Sequence, residues 1–179
     1  MALLLVGINH TTASIDLREK VAFPPAIISE ALSDLMALPA VAEAVVVSTC
    51  NRTEIYVDLT IDHTADAGPA YRPVVEWLSR YHDLNPEQLS QSCYFHEGNE
   101  VVRHLMRVSC GLDSMILGEP QILGQIKSAF ALSKDHDAVG AALGRAFQGA
   151  FSIAKEVRCL LYTSPSPRDV EESRMPSSA

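Results

Sequence analysis

The 179 residues are 47% hydrophobic and 20% charged, enough for one well-filled core, or one domain with an extension, and too few for two complete domains. A formal net charge of -8 excludes a protein whose main task is to coat a polyanion, because backbone-tracking nucleic-acid binders concentrate Lys and Arg; a local RNA contact stays open. Cys50, Cys93, Cys110 and Cys159 are scattered without a C-x-x-C pair, so no metal site or redox dithiol is expected, and a reduced, cytoplasmic setting fits best.

The apolar run at 3–8 lacks a basic leader and meets Asn9 and His10 at once, which predicts a buried strand over 3–9 rather than a signal peptide. No apolar stretch approaches the roughly 20 residues of a membrane span. Residues 24–38 carry Ile27, Ile28, Ala31, Leu32 and Leu35 at helical spacing. Residues 41–48 are rich in valine, and 53–59 alternate Ile55, Val57 and Leu59 against Glu54, Tyr56 and Asp58, predicting two strands with Cys50-Asn51-Arg52 at their junction. After a polar loop over 62–69, the pattern predicts a helix over 74–81 and a strand over 92–96. The order β-α-β-β-α-β predicts an α+β, ferredoxin-like sheet with helices on one face.

More helix follows the sheet. Val101, Leu105 and Val108 share one face of a helix over 99–108. Gly118-Glu119-Pro120 reads as a helix start, since proline at the first helical position loses no needed hydrogen bond, and that helix runs to about residue 134. A last helical pattern passes from about Val139 through Phe147, Phe151 and Val157 and ends without a cap. Beyond Arg158 the composition turns to Ser, Pro and charge, which cannot build a core, and residues 159–179 are expected to be a disordered, non-native tail.

The sharpest chemical feature is S-T-C-N-R-T-E at 48–54, a thiol at the end of a buried strand. On an extended backbone Cys50 and Arg52 point the same way, and a nearby guanidinium stabilises thiolate, the attacking species. Most free cysteines are instead small buried hydrophobes, and by itself the motif favours that reading. His104 falls at the edge of an apolar helical stripe, where an imidazole either moves a proton or serves structure. His10, His82, His96 and His136 are weaker candidates. Gln121 and Gln125 share a helix face beside Ile122, Ile126 and Phe130. Glu119 either caps that helix or pairs with a substrate ammonium, and Ser114 is equally ambiguous. The glycines give no G-x-G-x-x-G turn, so no dinucleotide site is expected in this chain.

Four motifs, G-I-N-H-T-T-A at 7–13, L-R-E-K-V-A-F at 17–23, S-T-C-N-R-T-E-I-Y at 48–56 and G-L-D-S-M-I-L-G-E-P-Q-I-L-G-Q at 111–125, together resemble the bacterial glutamyl-tRNA reductase family. The resemblance covers residues 1–158. It implies an NADPH-dependent oxidoreductase that reduces glutamyl-tRNA to glutamate 1-semialdehyde, the first step of tetrapyrrole synthesis by the C5 route. Carried over by motif, Cys50 displaces tRNA and holds glutamate as a thioester. Thr49, Cys50, Asn51, Arg52, Ser114, Glu119, Pro120, Gln121 and Gln125 line the glutamyl pocket, and His104 matches an activity-critical histidine. An arginine suits the glutamate side-chain carboxylate, and Arg52 takes that role rather than thiol activation alone.

The resemblance further implies residues 1–136 as the catalytic domain, 137–158 as the start of a spinal helix, a homodimer in the longer family members, and glutamate-1-semialdehyde aminomutase as a partner. The NADPH domain of the family is expected to be missing here, so the chain should form the thioester without reducing it. Two rival readings are a cysteine hydrolase built on Cys50 and His104, and a non-catalytic fragment that binds glutamyl-tRNA or a partner protein.

Overall fold

The computed structural model describes residues 2–60, 68–114 and 121–163. In chain order they form β1 (Ala2–Asn9), α1 (Ile15–Lys20), α2 (Ile28–Met36), β2 (Val41–Ser48), β3 (Arg52–Leu59), α3 (Arg72–Tyr81), α4 (Pro86–Ser92), β4 (Tyr94–Glu97), α5 (Asn99–Ser109), α6 (Gln121–Asp135) and α7 (Ala141–Thr163). The strands lie in the order β2-β3-β1-β4, every neighbouring pair antiparallel. That is the split β-α-β arrangement predicted from the element order.

Each face of the sheet is covered. Leu4, Val6 and Ile8 of β1, with Ile55, Val57 and Leu59 of β3, pack against Leu32, Leu35, Val74 and Trp77 of the crossover helices α2 and α3. Leu5, Val45, Val47 and Tyr56 point the other way, onto Val101 and Leu105 of α5, Ile122 and Ile126 of α6, and Leu143 and Phe147 of α7. The helices that the sequence places after the sheet therefore form its second layer. This explains why β1 reads as an unbroken apolar run: both of its faces are inside. It also explains why all eight residues of β3 are buried, including Glu54, Tyr56 and Asp58, which the alternation alone assigns to a polar face.

Two short helices escape the periodicity argument. Helix α1 has six residues and buries none, resting on a Ser14 cap whose side chain accepts from Leu17 N. Helix α4 is set by Asn85, which accepts from Glu87 N and Gln88 N, with Pro86 at its first position. Neither carries an apolar stripe long enough to register as a helical repeat. Helix α7 runs on to Thr163, past the composition change at Arg158. The predicted helix start at Gly118-Glu119-Pro120 lies outside the described residues, as does most of the expected tail; α6 is described from Gln121.

The first turn of α7 is fixed from the sheet. Glu43 of β2, 6% exposed, accepts from Ala142 N at 3.0 Å through Oε1 and from Leu143 N at 2.7 Å through Oε2. It thereby satisfies two of the orphan donors of the helix and complements its dipole. A side chain on Gly140 would collide with that carboxylate, so glycine there permits the approach. Ala44 N donates to Ala138 O at 2.8 Å, tying the same loop to the edge strand β2. Among the described residues no helix is long and apolar enough to cross a membrane.

Candidate active site

The β2–β3 hairpin closes on a two-residue loop, Cys50-Asn51. Thr49 N donates to Arg52 O at 2.8 Å, and Thr49 Oγ1 accepts from Asn51 N and Arg52 N, both at 3.2 Å. From α1, Arg18 Nη1 donates to Cys50 O at 2.8 Å and to Asn51 Oδ1 at 3.4 Å. The backbone of the tip is thus held from both sides while Cys50 stays exposed. It is not a small buried hydrophobe. The chain also turns at Cys50 instead of running extended, so the strand argument for Cys50 and Arg52 on one side does not apply: Arg52 opens β3 and is 2% exposed.

What unites them is a cleft. Thr49, Cys50, Asn51, Arg52, Ser114 and Gln125, with Ile122, line one small enclosed space of about 10 Å³, room for roughly one water molecule. Six of the residues singled out from sequence therefore meet, drawn from the hairpin tip, the turn after α5 and the first turns of α6. Gln121, also exposed, is not among that lining, and Glu119 and Pro120 lie outside the described residues.

Behind the cleft is a buried polar cluster centred on Glu54, which is 0% exposed. Its Oε1 accepts from Arg52 Nη1 at 2.5 Å, from Tyr94 OH at 2.5 Å and from His104 Nε2 at 2.8 Å; its Oε2 accepts from Tyr56 OH at 2.5 Å. The second guanidinium nitrogen, Arg52 Nη2, donates to the main-chain oxygen of Asp113 and, at 3.1 Å, to Asp113 Oδ2.

Tyr94 reaches Glu54 because Gly7 lies between them. The three residues are in register across β3, β1 and β4, and the Tyr94 ring occupies the space that a Gly7 side chain would fill. His104 is fixed by α5, whose Val101, Leu105 and Val108 are buried on the same stripe, and its ring lies 4.8 Å from that of His96.

The electrostatics follow from this packing. Burial pushes the Glu54 carboxyl up, but the His104 hydrogen bond and the Arg52 charge outweigh it and bring the pKa down to about 2. Burial likewise opposes the Arg52 charge, and adjacent Glu54 more than restores it, leaving the guanidinium above its ordinary value. Burial and the Glu54 charge push the Tyr56 and Tyr94 hydroxyls well up, so both remain donors. An ionised carboxylate only accepts, hence Nε2 of His104 carries the proton facing Glu54, and in the neutral ring Nδ1 holds the lone pair.

His104 is thus a member of the Glu54 cluster. Among the described residues the pairing of its Nε2 is with Glu54, and no hydrogen bond joins it to Cys50. Sequence reasoning missed Glu54, Tyr56, Tyr94 and Asp113. The available signal was the polar half of the β3 alternation, which marks a site only once a second helical layer is known to bury it.

Residues 6–160 match the family model described as glutamyl-tRNAGlu reductase, N-terminal domain. Glutamyl-tRNA reductases of Pseudoalteromonas translucida and Chromohalobacter salexigens are 51% and 53% identical over 158 residues, covering 88% of this chain and 36% of theirs. That of Pseudomonas entomophila is 52% identical over 159 residues, with the same coverage. The solved glutamyl-tRNA reductase from Methanopyrus kandleri superposes with a TM-score of 0.70 at 30% identity, over 88% of this chain and 34% of that one. The chain spans about a third of the length of the relatives it matches.

Proposed function

The chain belongs to the glutamyl-tRNA reductase family through its N-terminal domain, and from that premise we propose that it takes glutamate from glutamyl-tRNA onto Cys50 as a thioester, the first half of an NADPH-dependent reduction to glutamate 1-semialdehyde. The observation that carries this reading is the cleft in which an exposed thiol meets Arg52, Ser114 and Gln125. The Cys50 sulfur attacks the glutamyl carbonyl carbon as thiolate. The ester C–O bond breaks, the tRNA hydroxyl leaves with the proton given up by the thiol, and a C–S bond holds glutamate. Arg52 meets the substrate side-chain carboxylate, while Thr49, Asn51, Ser114 and Gln125 complete the pocket. His104, held by Glu54 through Nε2, is assigned the proton exchange, through its other ring nitrogen.

NADPH supplies the hydride in this family. A dinucleotide site is built on a parallel βαβ unit with a glycine-rich turn, and the sheet here is wholly antiparallel; these residues do not fit that group, and the chemistry assigned to this chain stops at the thioester. Residues 1–136 act as the catalytic unit and 137–158 as the start of a linking helix. Cytoplasmic location, dimerisation and an aminomutase partner belong to the same proposal.

The test is incubation with tRNA charged with labelled glutamate, followed by denaturing separation. Label should stay on the protein, disappear in Cys50→Ser, and be lost slowly to water on standing. Absence of label, or its retention in Cys50→Ser, overturns the assignment. Turnover of unrelated esters would favour the hydrolase reading instead, against which stands the lack of a His104–Cys50 hydrogen bond among the described residues.

A further inference from the structure

The Arg52 guanidinium lies between two carboxylates of unequal freedom. Glu54 is 0% exposed and accepts from Arg52, Tyr56, Tyr94 and His104. The side chain of Asp113 is 28% exposed and pairs with Arg52 Nη2 at 3.1 Å. Building on the reading that Arg52 receives the glutamyl side-chain carboxylate, we propose that Asp113 is the placeholder for that group: its carboxylate occupies Arg52 in the empty site, and substrate enters by displacing it.

The argument is one of charge and space. A substrate carboxylate added to the present arrangement would put three negative groups around one guanidinium in a buried setting, where like charges repel strongly, so one must leave. Glu54 cannot, because its departure would strand the buried Arg52 cation and three further donors. Asp113 can turn its carboxylate to water, since it is partly exposed and follows Gly111, whose φ of 74 ends the helical path. Arg52 keeps its bond to the Asp113 main-chain oxygen throughout. The cleft also has room for only about one water, so a glutamyl group needs displacement of something. Asp113, next to the cleft residue Ser114, is the group whose movement frees the Arg52 charge.

The pair Asp113→Asn and Asp113→Glu tests this, with labelled glutamyl-tRNA and with glutarate as a dicarboxylate probe. Asp113→Asn removes the competing charge, so the half-saturating glutamyl-tRNA concentration for labelling Cys50 should fall about fivefold while the saturated rate stays within twofold. Asp113→Glu restores a competing carboxylate and should return it to the wild-type value or above. Glutarate should bind the Asn variant about fivefold more tightly than wild type by calorimetry. A half-saturating concentration that is unchanged or higher in Asp113→Asn overturns the proposal. So does glutarate binding no tighter than to wild type, including none to either protein. If wild type takes no label, the glutamyl-transfer reading fails and the glutarate comparison alone decides the role of Asp113.

Discussion

Two buried glutamates sit on one hairpin and face the same helical layer, yet they meet opposite kinds of partner. Near the tip, Glu54 is satisfied by side chains, three of them titratable and one a guanidinium. Near the base, Glu43 is satisfied by two backbone N–H groups at the start of α7. A backbone cap needs only an acceptor and fixes a helix. A carboxylate surrounded by side-chain donors fixes the orientation and charge of each of them, which is what the proposed site asks of Arg52 and His104. Burial of an acid, taken alone, therefore does not tell these two settings apart; the identity of its donors does.

The largest effect should come from breaking the tip. Glu54→Ala leaves the Arg52 cation buried without its main partner, and the cost is expected at about 3–5 kcal/mol, measurable as a drop in the denaturation midpoint together with loss of Cys50 labelling. Acid should reach the same interaction in the wild type. The Glu54 pKa is lowered from an ordinary 4.5 to about 2, so its contribution to stability is complete above the ordinary value and is lost as pH falls through about 2. Glu54→Gln should flatten that acid limb, and an unchanged limb would show that other groups carry it. The smallest effect belongs to the base of the hairpin: Glu43→Ala should cost about 1–2 kcal/mol, the scale of a lost helix cap, and should leave Cys50 labelling within twofold. Equal losses of labelling from Glu43→Ala and Glu54→Ala would erase the distinction.

How far the sequence discloses this depends on the range of each signal. The α+β strand order was legible because apolar periodicity and turn residues are local properties. So was the motif around Cys50, and the cleft gathers Thr49, Asn51, Arg52, Ser114 and Gln125 with it. The Glu54 cluster was not legible, because its members lie on β3, β4 and α5 and their meeting depends on which helices cover the second face. Gly7 shows the same limit: its need for no side chain arises from a tyrosine ring two strands away from Glu54. The turn at Cys50-Asn51 defeated the strand argument for a different reason, since a two-residue hairpin loop reverses the chain where an extended path had been assumed.

The Glu43 clamp has a mechanical consequence. Helix α7 has 23 residues, which at the usual rise makes it about 34 Å long. Its start is set by Glu43, and its buried face, Leu143, Phe147, Ala150 and Ala154, then lies along the second helical layer. A single carboxylate on the sheet thus fixes where a helix of this length begins, and with it the line along which its far end projects.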